Sequence, residues 1–350
     1  SILNDIEFLP HGLLFWRASS AWIGGIGVVM FALVVLPSMG RSRQMLYNVE
    51  LSAIAKDNFH YRSKVIIRIL SSVYIGITIV TTLLLKYSGM GWFDAVTHAM
   101  SACSTCGFSN KNLSVGHFNS PVVELILIVA MLIAGMHFGL IYSTLTRKSN
   151  NIFRSEITRS YLLMFALSSV MIAISLRAAD IYPTALSSLR HAAFQTASLM
   201  TTSGFATADC NTWTPFAILI LMFCSLICGC AGSTSGGLKV DRLVLALKML
   251  KNKLQSQQHP NVIMRIKVDG FCQDQSMLNG VMVYIVAFML LVLIGTFINT
   301  LFGCDLMTGF SATLACASNV GPGFGEVGTM DNYSSMPVIV KMCLSFVMLF

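Results

Sequence analysis

STCGFSN, residues 104–110, breaks a long apolar stretch with small hydroxyl residues, a cysteine, a glycine and a phenylalanine. TTSGFAT, residues 201–207, makes the same interruption a second time. Aligned without gaps, HAMSACSTCGFS (98–109), QTASLMTTSGFA (195–206) and ATLACASNVGPG (312–323) bring a third copy into register. One column holds Gly107, Gly204 and Gly321, and the column before it Cys106, Ser203 and Val320. Two positions before the glycines stand Thr105, Thr202 and Asn319, and three before them Ser104, Thr201 and Ser318. A motif that recurs in register is the mark of a repeated structural unit.

The surroundings are those of a membrane protein. Of 350 residues, 55% are hydrophobic and 11% charged, too apolar a balance for an ordinary soluble domain. The formal charge of +8 does not point to nucleic acid, because the lysines and arginines fall between apolar runs and not on one compact soluble face. The ten cysteines mostly lie within apolar segments, where a free thiol behaves as a small hydrophobe. No short signal peptide opens the chain, and both ends, SILNDIEF and CLSFVMLF, are expected to be cuts within a longer protein.

A spanning helix needs about 20 mostly apolar residues. Seven candidates appear, roughly 18–38, 65–86, 121–145, 159–177, 214–232, 278–302 and 336–350, the last cut short. Three shorter ones, 92–105, 184–202 and 305–319, carry His98 and Ser101, then His191, Gln195 and Ser198, then Ser311 and Thr313. Their polarity suits helices that enter the membrane partway and lie buried in protein. The expected fold class is therefore all-α and integral to the membrane, with repeated units of membrane helix, pore helix and membrane helix around a central pore. Residues 1–40 would close an incomplete first unit, 41–150 form the second, 151–270 the third with a broken inner helix, and 271–350 the fourth. Segments 41–64 (including Arg41, Arg43, Lys56 and Arg62), 146–160 and 239–270 hold sixteen of the 23 lysines and arginines, so they are expected in the cytoplasm and the three interruptions on the outside.

Units of two spans keep one orientation, so they repeat about an axis along the membrane normal. A short helix that stops partway aims its carbonyl end, with its partial negative charge, at the centre. The chain after it runs outward as extended backbone, tolerable at that depth only where it lines water or protein. Glycine there presents carbonyls to a permeating cation without an obstructing side chain, as in potassium filters. The plainer alternative is a polar turn with glycine at a helix C-cap.

FWRASSAWIGGIGVVMFALVVLP, SACSTCGFSN, TTSGFATADC, CAGSTSGGLKVDR and SNVGPGFGEVG together resemble the Trk/Ktr/HKT superfamily of potassium transporters, in its bacterial TrkH branch. The resemblance implies a pore-forming subunit of a bacterial potassium uptake system in the inner membrane, with four membrane-pore-membrane units around one pore. It implies a homodimer in membrane lipid, resting on TrkA-type cytoplasmic regulatory subunits that alone bind nucleotide. K+ is the transported ion, bound at Ser104–Gly107, Thr201–Gly204 and Ser318–Gly321. Gly229, Cys230, Ala231, Gly232, Ser233, Thr234, Ser235, Gly236 and Gly237 are poor helix material, so a break is expected there, and the matching segment in the family is an intramembrane gate loop. One glycine per unit implies fewer fixed carbonyl layers than in tetrameric potassium channels. Readings from other classes are a sodium-coupled or sodium-permeable transporter, or a non-conducting scaffold or sensor of the same fold.

No nucleophile–base set and no metal motif appears, so no enzyme activity is expected. Cys103 and Cys106 form a C-x-x-C without a second pair, and AGSTSGGLK lacks the spacing of a phosphate loop. AGMHFGLIY (134–142) is a second glycine-interrupted site, with His137 read as local packing. Arg68 is expected to snorkel, and Lys341 either to snorkel or, by the resemblance, to sit behind the filter against a carboxylate.

Overall fold

A computed structural model describes residues 3, 5–35, 63–145, 152–258 and 266–349. Arg41, Arg43, Lys56, Arg62 and the unit boundaries expected at 40/41 and 150/151 lie outside the described residues. The helices in chain order are α1 (His11–Val35), α2 (Ser63–Tyr87), α3 (Trp92–Cys103), α4 (Pro121–Ala134), α5 (Phe138–Leu145) and α6 (Glu156–Ala178). After them come α7 (Ala185–Met200), α8 (Pro215–Ile227), α9 (Val240–Gln258), α10 (Gln275–Leu301), α11 (Leu306–Ala317) and α12 (Val338–Val347). Pro121 and Pro215 stand in the first turns of α4 and α8, where a missing N–H costs nothing. Thr184 and Ser187 close a reciprocal capping box on α7, and the Asp305 carboxylate accepts from Met307 N at the head of α11.

Among the described residues, α2, α6 and α10 contain stretches long and apolar enough to cross a membrane. Each turns back into a short helix packed against it, α3, α7 and α11 respectively. Polar groups on the short helices are covered: His98, Ser101, Gln195, Ser198, Ser311 and Thr313 are all buried. The long helices show the opposite pattern, α10 exposing Val286, Leu290, Leu293 and Phe297 outward as side chains for the acyl chains.

Two expected spans are corrected. Segment 121–145 is not one helix, since α4 and α5 meet at 101° across Gly135, Met136 and His137. At Gly135 a Cβ would lie 2.5 Å from the Tyr161 hydroxyl, so a side chain there would displace that ring. The backbone groups freed by the break find distant partners: Gly135 O accepts from Cys230 N at 2.9 Å, and Phe138 N donates to Gly232 O at 3.2 Å. His137 Nδ1 accepts from Gly139 N at 3.0 Å and so caps α5. Segment 214–232 likewise shortens to the 13 residues of α8, and the chain then leaves the helix at Cys228, whose φ is +63°.

A two-stranded antiparallel hairpin, β1 (Lys267–Val268) and β2 (Phe271–Cys272), is absent from the sequence reading. Its turn is Asp269-Gly270, both at positive φ (+49° and +86°), as a tight Asp-Gly hairpin requires. Asp269 also accepts from Glu156 N at 2.6 Å and from Ser155 Oγ at 2.9 Å, capping α6. Lys248 of α9 joins this corner through Glu156 Oε2 and the Lys267 carbonyl, each at 2.6 Å.

Candidate functional site

The three aligned interruptions share one backbone geometry. Ser104, Thr201 and Ser318 follow the ends of α3, α7 and α11 as C-caps. The next residues, Thr105, Thr202 and Asn319, are left-handed at φ +53°, +56° and +55°. Their N–H groups bond back to Ala102, Leu199 and Cys316 carbonyls at 3.3, 3.2 and 3.1 Å. The N–H groups one residue further, of Cys106, Ser203 and Val320, reach Ser101, Ser198 and Ala315 carbonyls at 3.1, 2.9 and 2.8 Å. This is a Schellman ending, built three times.

Such an ending normally puts glycine at the left-handed position. Here threonine stands there twice, although a β-branched residue at positive φ is an outlier. The plainer reading of the glycines as helix C-caps is thereby corrected: Gly107, Gly204 and Gly321 lie three residues beyond the C-caps, at φ +69°, +74° and +103°. A planar trans peptide points its C=O opposite to its N–H. With the N–H groups of residues 105 and 106 turned back to α3, the carbonyls of Ser104 and Thr105 point away from it. The same holds for Thr201 and Thr202, and for Ser318 and Asn319.

The three segments stand side by side in chain order. A Cβ on Gly107 would fall on the Ser203 carbonyl oxygen, and one on Gly204 would fall on the Val320 carbonyl oxygen with Pro322 Cδ at 3.0 Å. A Cβ on Gly321 would meet nothing within 4 Å. On the other flank, Gly25 of α1 packs closely on Ser104, whose Cβ would lie 3.0 Å from an added one.

Side chains from each short helix hold the return strand. His98 Nδ1 lies 2.8 Å from Asp94 O, and since a carbonyl only accepts, Nδ1 carries the proton. His98 Nε2 meets Ser109 Oγ at 2.9 Å. Ser198 Oγ donates to Phe205 O at 2.6 Å, Gln195 Nε2 to Ala208 O at 3.2 Å, and Ser311 Oγ to Phe324 O at 3.0 Å. The outer loops interlock as well, Gly116 N with Ala206 O at 3.1 Å and Gly325 N with Asn211 Oδ1 at 2.9 Å.

The glycine-rich loop between α8 and α9 touches all three helix ends. Thr234 Oγ1 donates to Cys103 O at 3.1 Å, Gly236 N donates to Thr202 Oγ1 at 3.1 Å, and Gly236 lies so close to the Ser318 carbonyl that a Cβ there would overlap it. Internally, Ser233 Oγ bonds Cys230 O at 2.6 Å and Ser235 Oγ at 2.7 Å. Ala231 N donates to the buried Asp241 carboxylate at 2.6 Å, and Val240 N to Gly229 O at 3.0 Å, fastening the loop to α9. The glycine-rich loop thus lies against all three interruptions, through Thr234 and Gly236.

Three residues were not singled out as site neighbours. Arg17 of α1 lays its guanidinium over Phe108, 3.8 Å from the ring centroid, and reaches Ser109 O at 3.4 Å. Glu124 of α4 is buried and pairs bidentately with Arg190 of α7, both contacts being 2.7 Å. Nothing in the sequence pairs these two beforehand, since they lie 66 positions apart. Lys341 donates its Nζ to the Ser334 carbonyl at 2.7 Å, in the turn that precedes its helix, and not to a carboxylate.

Comparisons with known proteins bear on this arrangement. The family profile described as "TrkH: Cation transport protein" matches residues 1–350. The chain is 33% identical over 350 residues to the Trk system potassium uptake protein TrkH of Salmonella typhimurium, covering 99% of this chain and 72% of that protein. It is 32% identical to the protein of the same name from Escherichia coli K12, with the same coverage. The crystal structure of the potassium transporter TrkH from Vibrio parahaemolyticus superposes with a TM-score of 0.88 at 28% identity, over all of this chain and 72% of that one.

Proposed function

The chain belongs to the TrkH family of cation transport proteins, and from that premise we propose that it forms the pore of a bacterial potassium uptake system. It is a transport protein, not an enzyme. Residues 1–40, 41–150, 151–270 and 271–350 act as the four units of the pore, the first represented by its closing helix. The cation passes along Ser104–Gly107, Thr201–Gly204 and Ser318–Gly321, where backbone carbonyls replace part of its hydration shell.

The observation that carries this reading is the threefold Schellman ending with carbonyls turned away from the helices. The left-handed position holds threonine in two copies and asparagine in the third, where such an ending usually carries glycine. A Cβ on Gly321 would meet nothing within 4 Å, which leaves room for a fourth filter strand beside it. Residues 229–237 lie beneath the filter as the gate, held to it through Thr202 and Thr234. The basic segment 239–270 faces the cytoplasm, where a TrkA-type nucleotide-binding subunit docks on the homodimer, and the filter faces outward. Support for the partner and for the orientation comes from the family resemblance and from the distribution of lysine and arginine.

The test is rubidium uptake into proteoliposomes holding the full-length protein, with potassium and sodium as competitors, for wild type and Gly204→Ser. Saturable uptake blocked by potassium more than by sodium, and altered by the substitution, is the expected result. Equal block by sodium favours a sodium-coupled transporter, and no uptake with the regulatory partner present favours a scaffold.

A further inference from the structure

The third interruption departs from the other two at one atom. Tyr333 donates its hydroxyl to the Gly321 carbonyl oxygen at 2.7 Å. Among the described residues, no hydrogen bond of this kind reaches the carbonyl of Gly107 or Gly204. The backbone differs in step: Gly321 has φ +103° against +69° and +74° for the others.

Tyr333 is well placed to hold that carbonyl. It sits in a short 3-10 turn, Tyr333–Ser335, whose ends are fixed by Asn332 Oδ1 accepting from Ser334 N at 2.9 Å and by Lys341 Nζ donating to Ser334 O at 2.7 Å. The ring packs on the core cluster that contains Cys316, Val340 and Leu344, so it approaches Gly321 from the protein side. A carbonyl bonded to that hydroxyl directs its oxygen at the protein and away from a cation on the path.

We propose that Tyr333 is a specificity-determining residue that withdraws the Gly321 carbonyl from the filter, leaving one strand without a ligand at its glycine. The inference rests on the filter reading above. On the premise that discrimination comes from the number and field strength of the coordinating dipoles, more carbonyl ligands favour the larger ion. The hydroxyl therefore tunes the site toward weaker potassium-over-sodium discrimination. Removing it leaves a carbonyl with no protein partner, and a cation is the acceptor's best remaining neighbour.

The experiment compares full-length wild type, Tyr333→Phe and Gly204→Ser in proteoliposomes, reading the apparent KM for rubidium, the sodium inhibition constant, and the thermal midpoint. Phenylalanine keeps the ring packing. Tyr333→Phe is expected to raise the ratio of the sodium constant to the rubidium KM by about fivefold, the scale of one hydrogen bond, with maximal uptake little changed. An unchanged ratio, with or without a lower midpoint, overturns the proposal and leaves Tyr333 a structural strut. A lowered ratio also overturns it, since the hydroxyl would then be holding the carbonyl in a coordinating position. Failure of the filter reading itself appears separately, as rubidium uptake indifferent to Gly204→Ser.

Discussion

Replacing Thr202 by valine isolates the bond between the filter and the loop beneath it. Valine keeps the β-branch and the shape, so the left-handed strain at φ +56° is unchanged, but the acceptor for Gly236 N–H disappears. Thr202 is 1% exposed, so water does not easily replace the lost partner. An unsatisfied buried donor costs about 1–3 kcal/mol. That penalty falls on the state in which the loop touches the filter and vanishes when the loop moves away. It therefore shifts the loop equilibrium toward the open arrangement by about 5- to 150-fold. Rubidium uptake by the full-length protein without regulatory partner should rise accordingly, up to the limit set by the filter. Thr202→Ser keeps the acceptor and should leave basal uptake near wild type. Basal uptake unchanged in the valine variant, with serine and valine alike, would refute the loop as a gate held by this bond.

Gly107→Ala places a Cβ on the Ser203 carbonyl at φ +69°, adding about 1–2 kcal/mol of left-handed strain to an overlap that only backbone movement relieves, so rubidium uptake should fall more than about tenfold. Arg190→Ala strands the Glu124 carboxylate, 3% exposed, and should cost about 3 kcal/mol, the low end for a broken buried pair because a quarter of the Arg190 side chain (26%) is exposed. The thermal midpoint in detergent should drop, and adding Glu124→Gln should restore most of it. Asp269→Ala removes the cap from α6, at a cost of about 0.5–2 kcal/mol, while Asp269→Asn keeps an acceptor. Faster amide exchange in the first turn of α6 for alanine alone is the expected signature.

The helices were legible because hydropathy and length are local properties. The short helix expected at 92–105 is Trp92–Cys103, and that expected at 305–319 is Leu306–Ala317. The interruptions were legible because repetition in register separates a functional motif from an accidental turn. The interruption at 134–142 was legible from its glycines, but its 101° bend was not, since what stabilises it is Cys230 and Gly232, about a hundred positions away. The identity of the left-handed cap was also hidden. Propensity assigns it to glycine, and only the threefold pattern of back-bonds to residues such as Ser101 and Ser198 places threonine there. Asp269-Gly270 is a hairpin signal present in the sequence, yet strands of two residues are too short for alternation to show. Tyr333 carries no local mark, since its partner lies 12 residues back on the far side of a loop.

The proposed path puts a cation among the carbonyls that the three helix endings turn away from their helices. Crystals of the full-length protein grown in rubidium chloride, measured at the rubidium absorption edge, test it directly. An anomalous peak is expected between the carbonyls of Thr105, Thr202 and Asn319, weakened when sodium replaces rubidium. Rubidium density absent there but present elsewhere in the membrane region would contradict it.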